Sequence, residues 1–202
     1  MKGAGGTVRG PAREQSAVDA ALEALLALFR QSGAATSDGA AADALLAPAR
    51  LPVNDWLASV LPRAAARTRA ACDALARAAP LLCWRQNATY RDPEFLARYG
   101  YCELAGPRGH RRDTRKSVGV LLLAPRTLYP PHRHPAEEVY VVLAGSAQWR
   151  IADAPWRLAT AGESIAHPSL TVHAMRTDES PLLAAYLWTD HLDTPATLVR
   201  RT

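Results

Sequence analysis

The sequence contains no apolar run that approaches the ~20 consecutive residues a membrane-spanning helix needs. Its first apolar stretch, Ala17–Phe29, is interrupted by Asp19 and Glu23, so it predicts neither a membrane anchor nor a secretory leader. We therefore expect a cytoplasmic protein that has no membrane partner.

Cysteine is scarce, and the basic residues lack the interleaved aromatic residues typical of nucleic-acid binding. The three cysteines (Cys72, Cys83 and Cys102) are odd in number and show no CxxC spacing, which argues against a disulfide framework or a structural zinc site. We expect buried free thiols. The formal net charge is +5, but the densest basic cluster, Gly106–Lys116, contains no interleaved aromatic residues. We therefore expect a solvated loop there and no nucleic-acid partner.

The composition, 49% hydrophobic and 21% charged over 202 residues, is that of a globular protein with one sizeable core. A change of texture near residue 80 predicts an α-helical N-terminal extension over residues 1–80 and a β domain over residues 81–202. Apolar spacing and proline positions in the first part predict helices over about 16–31, over 41–47 and over Arg63–Ala79, the last being the longest.

The second part alternates short β-like runs with turn residues, a pattern typical of an antiparallel sandwich or barrel. The fold class is therefore predicted to be mainly β. The predicted strands are Val118–Leu123, Glu138–Leu143, Ala147–Ile151, Ser164–Ala166, Val172–Arg176 and Leu182–Trp188.

Candidate metal ligands cluster in one segment. Side chains alternate along extended chain, so His132, His134 and Glu138 are predicted to point to one face, with Glu137 on the other. Two imidazoles and a carboxylate form part of a site for a divalent transition metal, and His173 on a separate predicted strand can supply a fourth ligand. The ion could be Fe²⁺, Zn²⁺, Mn²⁺, Co²⁺ or Ni²⁺, since such a donor set suits them all.

The other histidines stand outside this spacing. We interpret His110, His167 and His191 as ordinary core or surface residues. Two tyrosines, in contrast, flank the ligands: Tyr140 follows Glu138 by two residues and shares its face, and Tyr129 precedes His132 by three. Their spacing predicts that both phenols belong to the pocket, where a nearby cation would favour the phenolate form.

These residues resemble the two motifs of the cupin superfamily, which implies a double-stranded β-helix, or jelly-roll, barrel carrying the metal. The first motif is represented by His132, His134, Glu138 and Gly145, and the second by Gly162, Pro168 and His173. Where the motifs usually have glycine, this chain has Arg126 and Leu170, and Thr177 stands in place of the usual asparagine. These departures affect turn residues and leave the four expected ligands present.

A narrower resemblance, to the cupin-type dimethylsulfoniopropionate (DMSP) lyases, covers about Trp84 to Asp193. The segments that carry it are Trp84-Arg-Gln-Asn87, Phe95-Leu-Ala-Arg-Tyr-Gly-Tyr101, the segment from Tyr129 to Tyr140, His167-Pro-Ser169, His173-Ala-Met175 and Ala185-Tyr-x-Trp188. The resemblance implies α-proton abstraction and β-elimination that yield acrylate and dimethyl sulfide. It implies Tyr140 as the base and Tyr129 as a group that binds metal or substrate.

A zwitterionic sulfonium carboxylate as the small-molecule substrate would place a cation against aromatic faces. The candidates for that contact are Trp84, Tyr90, Tyr186 and Trp188. Two alternatives stay open: another metal-dependent cupin enzyme, such as a dioxygenase or an isomerase acting on a small carboxylate or sugar, and a non-catalytic cupin that binds a small molecule. The sequence also leaves a homodimer open.

Overall fold

A computed structural model describes residues 11–36 and 46–199 of the chain. Its α-helices are α1 (Pro11–Gln31), α2 (Leu57–Val60), α3 (Arg69–Ala78) and α4 (Pro93–Ala97). Four 3₁₀ turns lie at Pro52–Trp56, Leu61–Arg63, Ala66–Thr68 and Ala79–Leu81. The strands are β1 (Trp84–Arg85), β2 (Tyr99–Ala105), β3 (Lys116–Leu123), β4 (Leu128–Arg133), β5 (Glu137–Ile151), β6 (Arg157–Thr160), β7 (Ser164–His167), β8 (His173–Arg176), β9 (Leu182–Thr189) and β10 (Thr197–Leu198).

The strands form a curled antiparallel sheet with two faces that turn toward each other. One face runs β1-β2-β3-β9-β5-β7, and the other runs β6-β5-β8-β4-β10. Strand β5 belongs to both, because its first part pairs with β9 and β7 and its last part with β6 and β8. The expected mainly β architecture with an N-terminal helix is confirmed.

The bend in β5 occurs at Gly145, which the sequence places at the end of the first motif. Its φ of +76° is one that side-chain-bearing residues rarely adopt. An added Cβ would lie 1.9 Å from the carbonyl oxygen of Pro181. Glycine is therefore required both by the backbone conformation and by the close approach of the neighbouring chain.

Helices α1 and α3 cover the outer side of the first face. The predicted apolar side of α1 is buried, since Val18, Leu25 and Phe29 have no exposed surface. Each large apolar side chain buried in this way contributes about 1.5–3 kcal/mol. These helices share one hydrophobic cluster with β3, β5 and β9, so the helical and β parts have a common core. The division into domains at residue 80 stays a prediction.

The inner side of the sheet holds a second cluster, which the pleat separates from the first. Along β3, Val118, Val120 and Leu122 face the helices, whereas Leu121 and Leu123 face inward. The inner cluster is rich in aromatic rings, and its larger members are Tyr90, Phe95, Tyr99, Tyr129, Tyr140, Trp149 and Tyr186. The barrel interior is thus lined by phenols and indoles.

The predicted helices needed correction. Helix α1 begins at Pro11, five residues earlier than expected, as proline is tolerated in a first turn. Most of the predicted helix at 41–47 lies outside the described residues. The predicted longest helix, Arg63–Ala79, was wrong: extended backbone at Ala64 and Ala65 interrupts it, and the helix runs only from Arg69 to Ala78.

A local contact and a distant one accompany that interruption. The guanidinium of Arg69 donates to the carbonyls of Pro62 at 3.0 Å and Ala64 at 2.9 Å, so the freed carbonyls of the broken turn are satisfied. Ala64 also forms an isolated antiparallel bridge with Ala144 of β5. Contacts between distant residues therefore override local helix propensity here.

The strand predictions were correct in place but incomplete. The predicted strands Glu138–Leu143 and Ala147–Ile151 are one continuous strand, β5. Strand β4 was missed because it contains Pro130 and Pro131, which cannot donate to a ladder; its pairing with β8 shifts register between Tyr129 and His132. The other strands missed from sequence are β1, β2, β6 and β10.

The two motif positions that lack glycine keep a glycine-like backbone. Arg126 has φ +54° and Leu170 has φ +60°, both in the left-handed region. The chain therefore adopts the turn geometry of the motifs despite the substitutions, at a cost of about 1–2 kcal/mol for each side-chain-bearing residue.

Within the described ranges, no helix combines the length and apolarity that crossing a bilayer requires. All three cysteines are free thiols; Cys72 and Cys102 are buried as expected, and Cys83 is half-buried. Burial raises the pKa of the Cys72 thiol to about 11.

Replacing Leu170 by glycine tests the strained turn. Leu170→Gly relieves the left-handed strain but adds unfolded-state entropy, so we expect a net gain of about 0.5–1 kcal/mol in the free energy of unfolding. Leu128→Gly is the matched control: Leu128 is 53% exposed against 56% for Leu170 but lies in a strand, so this change should destabilise. Urea unfolding measures both, and a loss of stability in Leu170→Gly contradicts the expectation.

Candidate metal centre and cavity

Glu138 lies in the middle of a row of side chains across the first face. Strand pairing places Trp188 of β9 on one side of it and His167 of β7 on the other. The indole Nε1 of Trp188 donates to Glu138 Oε1 at 2.5 Å, and His167 Nδ1 lies 3.0 Å from Oε2. Both carboxylate oxygens of Glu138 are therefore engaged by its neighbours on the sheet.

The imidazoles of the opposite face approach this carboxylate. His132 of β4 pairs directly with His173 of β8, and their ring centroids are 4.1 Å apart. His134 follows just after β4, in the turn that leads into β5. Its Nε2 lies 3.1 Å from Glu138 Oε2, and His173 Nε2 lies 3.4 Å from the same oxygen.

The structure thus brings together the four residues predicted as metal ligands. The ligand atoms of His132, His134 and His173 lie within 4.8 Å of one another, and those of Glu138, His167 and His173 form a second, overlapping group. All of these side chains are buried, with at most 2% of any residue exposed. Glu137 is exposed to solvent, as its position on the other side of the strand predicts.

Backbone carbonyls set the orientation of three imidazoles. The Nδ1 atoms of His132, His134 and His173 lie 2.8–2.9 Å from the carbonyl oxygens of Pro130, Ala136 and Thr171. A carbonyl can only accept, so each Nδ1 must donate, which leaves the Nε2 lone pair of the neutral ring directed inward. Metal-binding histidines are commonly held by such an Nδ1 contact.

The inward-facing atoms fit a cation. Among the described residues, His173 Nε2 is buried and has no hydrogen-bond partner. Both it and His134 Nε2 face the carboxylate oxygen of Glu138, so a proton or a metal ion is needed between each nitrogen and that oxygen. Nitrogen and carboxylate donors are the ligands that divalent transition metals take. His132, His134, Glu138 and His173 could therefore hold one such ion.

The electrostatics of the site follow from its burial. Burial, reinforced by neighbouring His173, holds the pKa of His132 well below its usual range. Burial alone would raise the pKa of Glu138, but the imidazoles around its carboxylate outweigh that effect and hold the pKa well below the usual range. The site therefore favours a negative Glu138 carboxylate beside a neutral His132 imidazole, and both are then in the protonation state that binds a metal.

The two predicted catalytic tyrosines lie on either side of the histidines. The ring of Tyr129 is 4.5 Å from that of His132, and the ring of Tyr140 is 5.6 Å from that of His167. Burial raises the pKa of both phenols well above the usual value, and the negative Glu138 adds to this for Tyr140. Either phenol needs a nearby positive charge before it can ionise near neutral pH.

A cavity of about 500 Å³ opens beside these groups. Its lining includes His132, Glu138, Tyr129, Tyr140, Tyr186 and Trp188. Of the four aromatic residues predicted to contact substrate, Tyr186 and Trp188 therefore face the cavity. Tyr90 lies behind Tyr129, with ring centroids 5.4 Å apart, and Trp84 packs in the other cluster against the helices, away from the cavity.

His167 is a member of the cluster that the sequence did not reveal. We interpreted it as an ordinary residue, yet it contacts Glu138 and stacks on His173 with ring centroids 3.9 Å apart. Its position depends on the pairing of β7 with β5, a contact that residue spacing along the chain cannot show. His110 is buried elsewhere, between the backbone amides of Leu46 and Cys83, and His191 is exposed.

The sequence matches the family described as dimethylsulfoniopropionate lyase over residues 27–184. It is 34% identical over 131 residues to the dimethylsulfoniopropionate lyase DddQ of Ruegeria pomeroyi and 41% identical over 118 residues to DddL of Cereibacter sphaeroides. These matches cover 62% and 57% of this chain. They span 64% of the length of DddQ and 49% of that of DddL.

Solved structures show the same fold over nearly the whole chain. A chain from the crystal structures of the DMSP lyases RdDddP and RnDddQII superposes with a TM-score of 0.83 at 31% identity, covering 93% of this chain and 100% of that one. DddQ from Ruegeria pomeroyi DSS-3 superposes with a TM-score of 0.82 at 27% identity, covering 91% and 96%.

Removing a ligand tests the centre. We expect His134→Ala and Glu138→Ala to lose more than the ~10–100-fold in metal affinity that follows loss of an outer partner. The matched control His191→Ala, at an exposed histidine, should bind metal like the unaltered protein. Metal content after dialysis, measured by mass spectrometry, reports the result. Retention of one ion per chain in both ligand variants contradicts the assignment.

The depressed histidine pKa values predict a pH dependence of stability. Burial foremost lowers the pKa of His110, His132 and His167 below 6.5 in the folded protein. The unfolded chain then binds more protons below pH 6.5, so stability is complete above that pH and declines below it. Each histidine contributes a slope of up to ~1.4 kcal/mol per pH unit.

Urea unfolding of the metal-free protein between pH 5 and 8 measures this slope. His132→Leu should reduce the slope of the decline by about the contribution of one proton, because that variant lacks one of the three histidines whose pKa is lowered. Constant or rising stability on acidification from pH 6.5 to 5 contradicts the account.

Proposed function

The chain belongs to the dimethylsulfoniopropionate (DMSP) lyase family, and from that premise we propose that it cleaves DMSP to acrylate and dimethyl sulfide. The observation that carries the proposal is the coincidence of the family match with the site. The matched residues 27–184 include the four candidate metal ligands and both flanking tyrosines, and His132, Glu138 and the two tyrosines line one cavity. The activity is a carbon–sulfur lyase reaction that needs no redox step.

His132, His134, Glu138 and His173 would hold one divalent transition metal. A bound ion supplies positive charge that stabilises the carboxylate end of the substrate and the negative charge developing when the α-proton leaves. The donor set of three nitrogens and one oxygen is compatible with Fe²⁺, Zn²⁺, Mn²⁺, Co²⁺ and Ni²⁺.

We assign Tyr140 as the base. Its side chain lines the cavity from the same strand face as Glu138 and opposite Tyr186. Tyr140 would act as the phenolate, the form that a nearby positive charge favours. Its oxygen takes the proton from the α-carbon, and the electrons of that C–H bond form the new double bond of acrylate. The β-carbon–sulfur bond breaks, and its electron pair leaves with sulfur as neutral dimethyl sulfide. No general acid is needed, since the leaving group departs without charge.

Tyr129 would complete the pocket on the histidine side by contacting the substrate or the metal. Three rings hold it in place: Tyr90, Phe95 and Tyr99, whose centroids lie 5.1–5.4 Å from its own. Edge-to-face contacts of this kind contribute about 0.5–1.5 kcal/mol each beyond burial. The aromatic cluster therefore fixes the position of the Tyr129 ring beside His132.

The sulfonium group would lie against Tyr186 and Trp188. A cation over an aromatic face gains about 0.5–2 kcal/mol, and more of that gain is realised where water is excluded. The indole N–H of Trp188 is committed to Glu138, which orients the ring relative to the metal centre. Trp84 does not line the cavity, so we leave it out of the substrate site, and Tyr90 supports Tyr129 rather than facing the substrate.

A zwitterionic small molecule is thus the proposed substrate. A dioxygenase or an isomerase leaves the pair of buried tyrosines beside the ligands without a role, and a non-catalytic binding protein does not need a base on the metal side of the cavity. A cytoplasmic location and assembly as a homodimer stay predictions.

Headspace detection of dimethyl sulfide from metal-loaded protein supplied with DMSP tests the proposal. Tyr140→Phe should lose ~10²–10⁴-fold in kcat, the usual worth of a positioned base, while its metal content stays unchanged. Trp156→Phe is the control, because this ring lies against Arg150 and Arg176 and does not line the cavity. That variant should remain within a few-fold of the parent.

Two results would overturn parts of the proposal. Full activity of Tyr140→Phe removes Tyr140 as the base. Absence of dimethyl sulfide release from protein that contains stoichiometric metal rejects DMSP as substrate, and other β-substituted carboxylates then become the compounds to assay.

A further inference from the structure

Three buried side chains form a continuous line of contacts that ends at Glu138. The indole Nε1 of Trp149 lies 3.2 Å from His167 Nε2, and His167 Nδ1 lies 3.0 Å from Glu138 Oε2. Both Glu138 and Trp149 belong to β5, one on each side of the bend at Gly145. His167 comes from β7 and joins the two halves of that strand.

We propose that His167 is a positioning residue rather than a metal ligand: Trp149 fixes the ring proton on Nδ1, and that N–H holds the Glu138 carboxylate toward the three imidazoles. The inference rests on the proposed metal centre but not on the identity of the substrate.

The two hydrogen-bond partners of His167 determine which of its ring nitrogens carries the proton. An indole N–H can only donate, so His167 Nε2 must accept from Trp149 and cannot itself bear a proton. A neutral imidazole with an unprotonated Nε2 carries its proton on Nδ1. That proton points at Glu138 Oε2, which can only accept when ionised. Since Nδ1 has no free lone pair in this state, it cannot bind a metal.

The other three imidazoles of the site have the ring proton and the lone pair in the reverse arrangement. In His132, His134 and His173 the partner outside the cluster is a carbonyl acceptor, so the proton is directed outward and the lone pair inward. In His167 the outer partner is a donor, so the lone pair is directed outward and the proton inward. The chemistry of the outer partner thus separates one hydrogen-bond donor from three candidate metal ligands.

The surroundings of His167 allow little movement. Its ring stacks on that of His173, with centroids 3.9 Å apart and planes 16° apart, and its side chain has no exposed surface. Trp149 is among the largest fully buried side chains of the described residues. Trp188 donates to the other oxygen of Glu138, so two N–H groups on opposite sides fix the rotation of the carboxylate.

Fixing this carboxylate before the metal arrives has a physical benefit. A carboxylate without these partners would occupy several rotations and hydrogen-bonding states before the ion binds. Binding would restrict it to one of them, at a cost in conformational entropy. Partners of this kind behind a ligand typically contribute 10–100-fold in metal affinity. His167 and Trp149 would therefore act on affinity through Glu138.

Histidine ¹⁵N NMR on the zinc-loaded and the metal-free protein reads the proton position directly. We expect His167 to be protonated on Nδ1 and unprotonated on Nε2 in both samples. The three ligand histidines should be protonated on Nδ1, with Nε2 shifted by zinc. A zinc-dependent shift at His167 Nδ1, or a proton on its Nε2, overturns the proposal and makes His167 a ligand.

Variants test the same point through metal affinity, measured by competition with a chelator. His167→Leu should weaken zinc binding by ~10–100-fold, and His167→Asn, whose amide N–H can take the place of Nδ1–H, should restore most of it. Trp149→Phe should weaken zinc binding less and let the His167 proton distribute over both nitrogens. Unchanged affinity in His167→Leu contradicts the proposal.

Two controls separate positioning from general destabilisation. His110→Asn changes a buried histidine away from the site, and Trp156→Phe changes an indole that lies between Arg150 and Arg176. Both should keep the parental affinity for zinc. Because these readouts use zinc and proton position, a failure of DMSP cleavage would leave them intact, whereas a failure of this inference would leave DMSP release to be judged separately.

Discussion

The burial of one carboxylate, Glu138, is the constraint on which the rest of the site depends. Removing an ionised group from water costs several kcal/mol unless compensating partners surround it. Here the partners are the Trp188 and His167 N–H groups on the same sheet face and, from the opposite face, imidazole nitrogens that require a cation between themselves and the carboxylate. The hydrogen bonds and the proposed metal ion thus both compensate the negative charge of the buried Glu138 carboxylate.

A bend in strand β5 allows the fold to place these partners around Glu138. Strand β5 passes from one face of the sheet to the other at Gly145, so Glu138 and Trp149 can both reach the interior from a single segment. The same curvature brings His132 and His173 of the second face close to Glu138 of the first. The helices on the outer side contribute core but no group to the site, which leaves the inner aromatic cluster to define its shape.

The local sequence pattern predicted the spacing of the candidate ligands and several of the strands. It failed where pairing between residues far apart in the sequence determines the structure. The spacing of His132, His134 and Glu138 follows from strand periodicity, and the structure brings these residues together with His173. The sequence indicated no role in the site for His167 or Trp149, because their contacts depend on the pairing of β7 with β5. Trp84 faces the helices because alternation along β1 directs its side chain to the outer side of the sheet. A strand of two residues is too short for the sequence to show that alternation. The predicted helix Arg63–Ala79 is interrupted where Ala64 bridges to Ala144 and Arg69 donates to the freed carbonyls.

X-ray absorption spectroscopy on the zinc-loaded protein can identify the ligand set around Glu138, because multiple scattering from imidazole rings counts the histidine ligands of the ion. The account predicts three imidazoles with additional oxygen and no sulfur. Four imidazoles would move His167 into the ligand set, and two or fewer, or any sulfur, would contradict the centre built on Glu138.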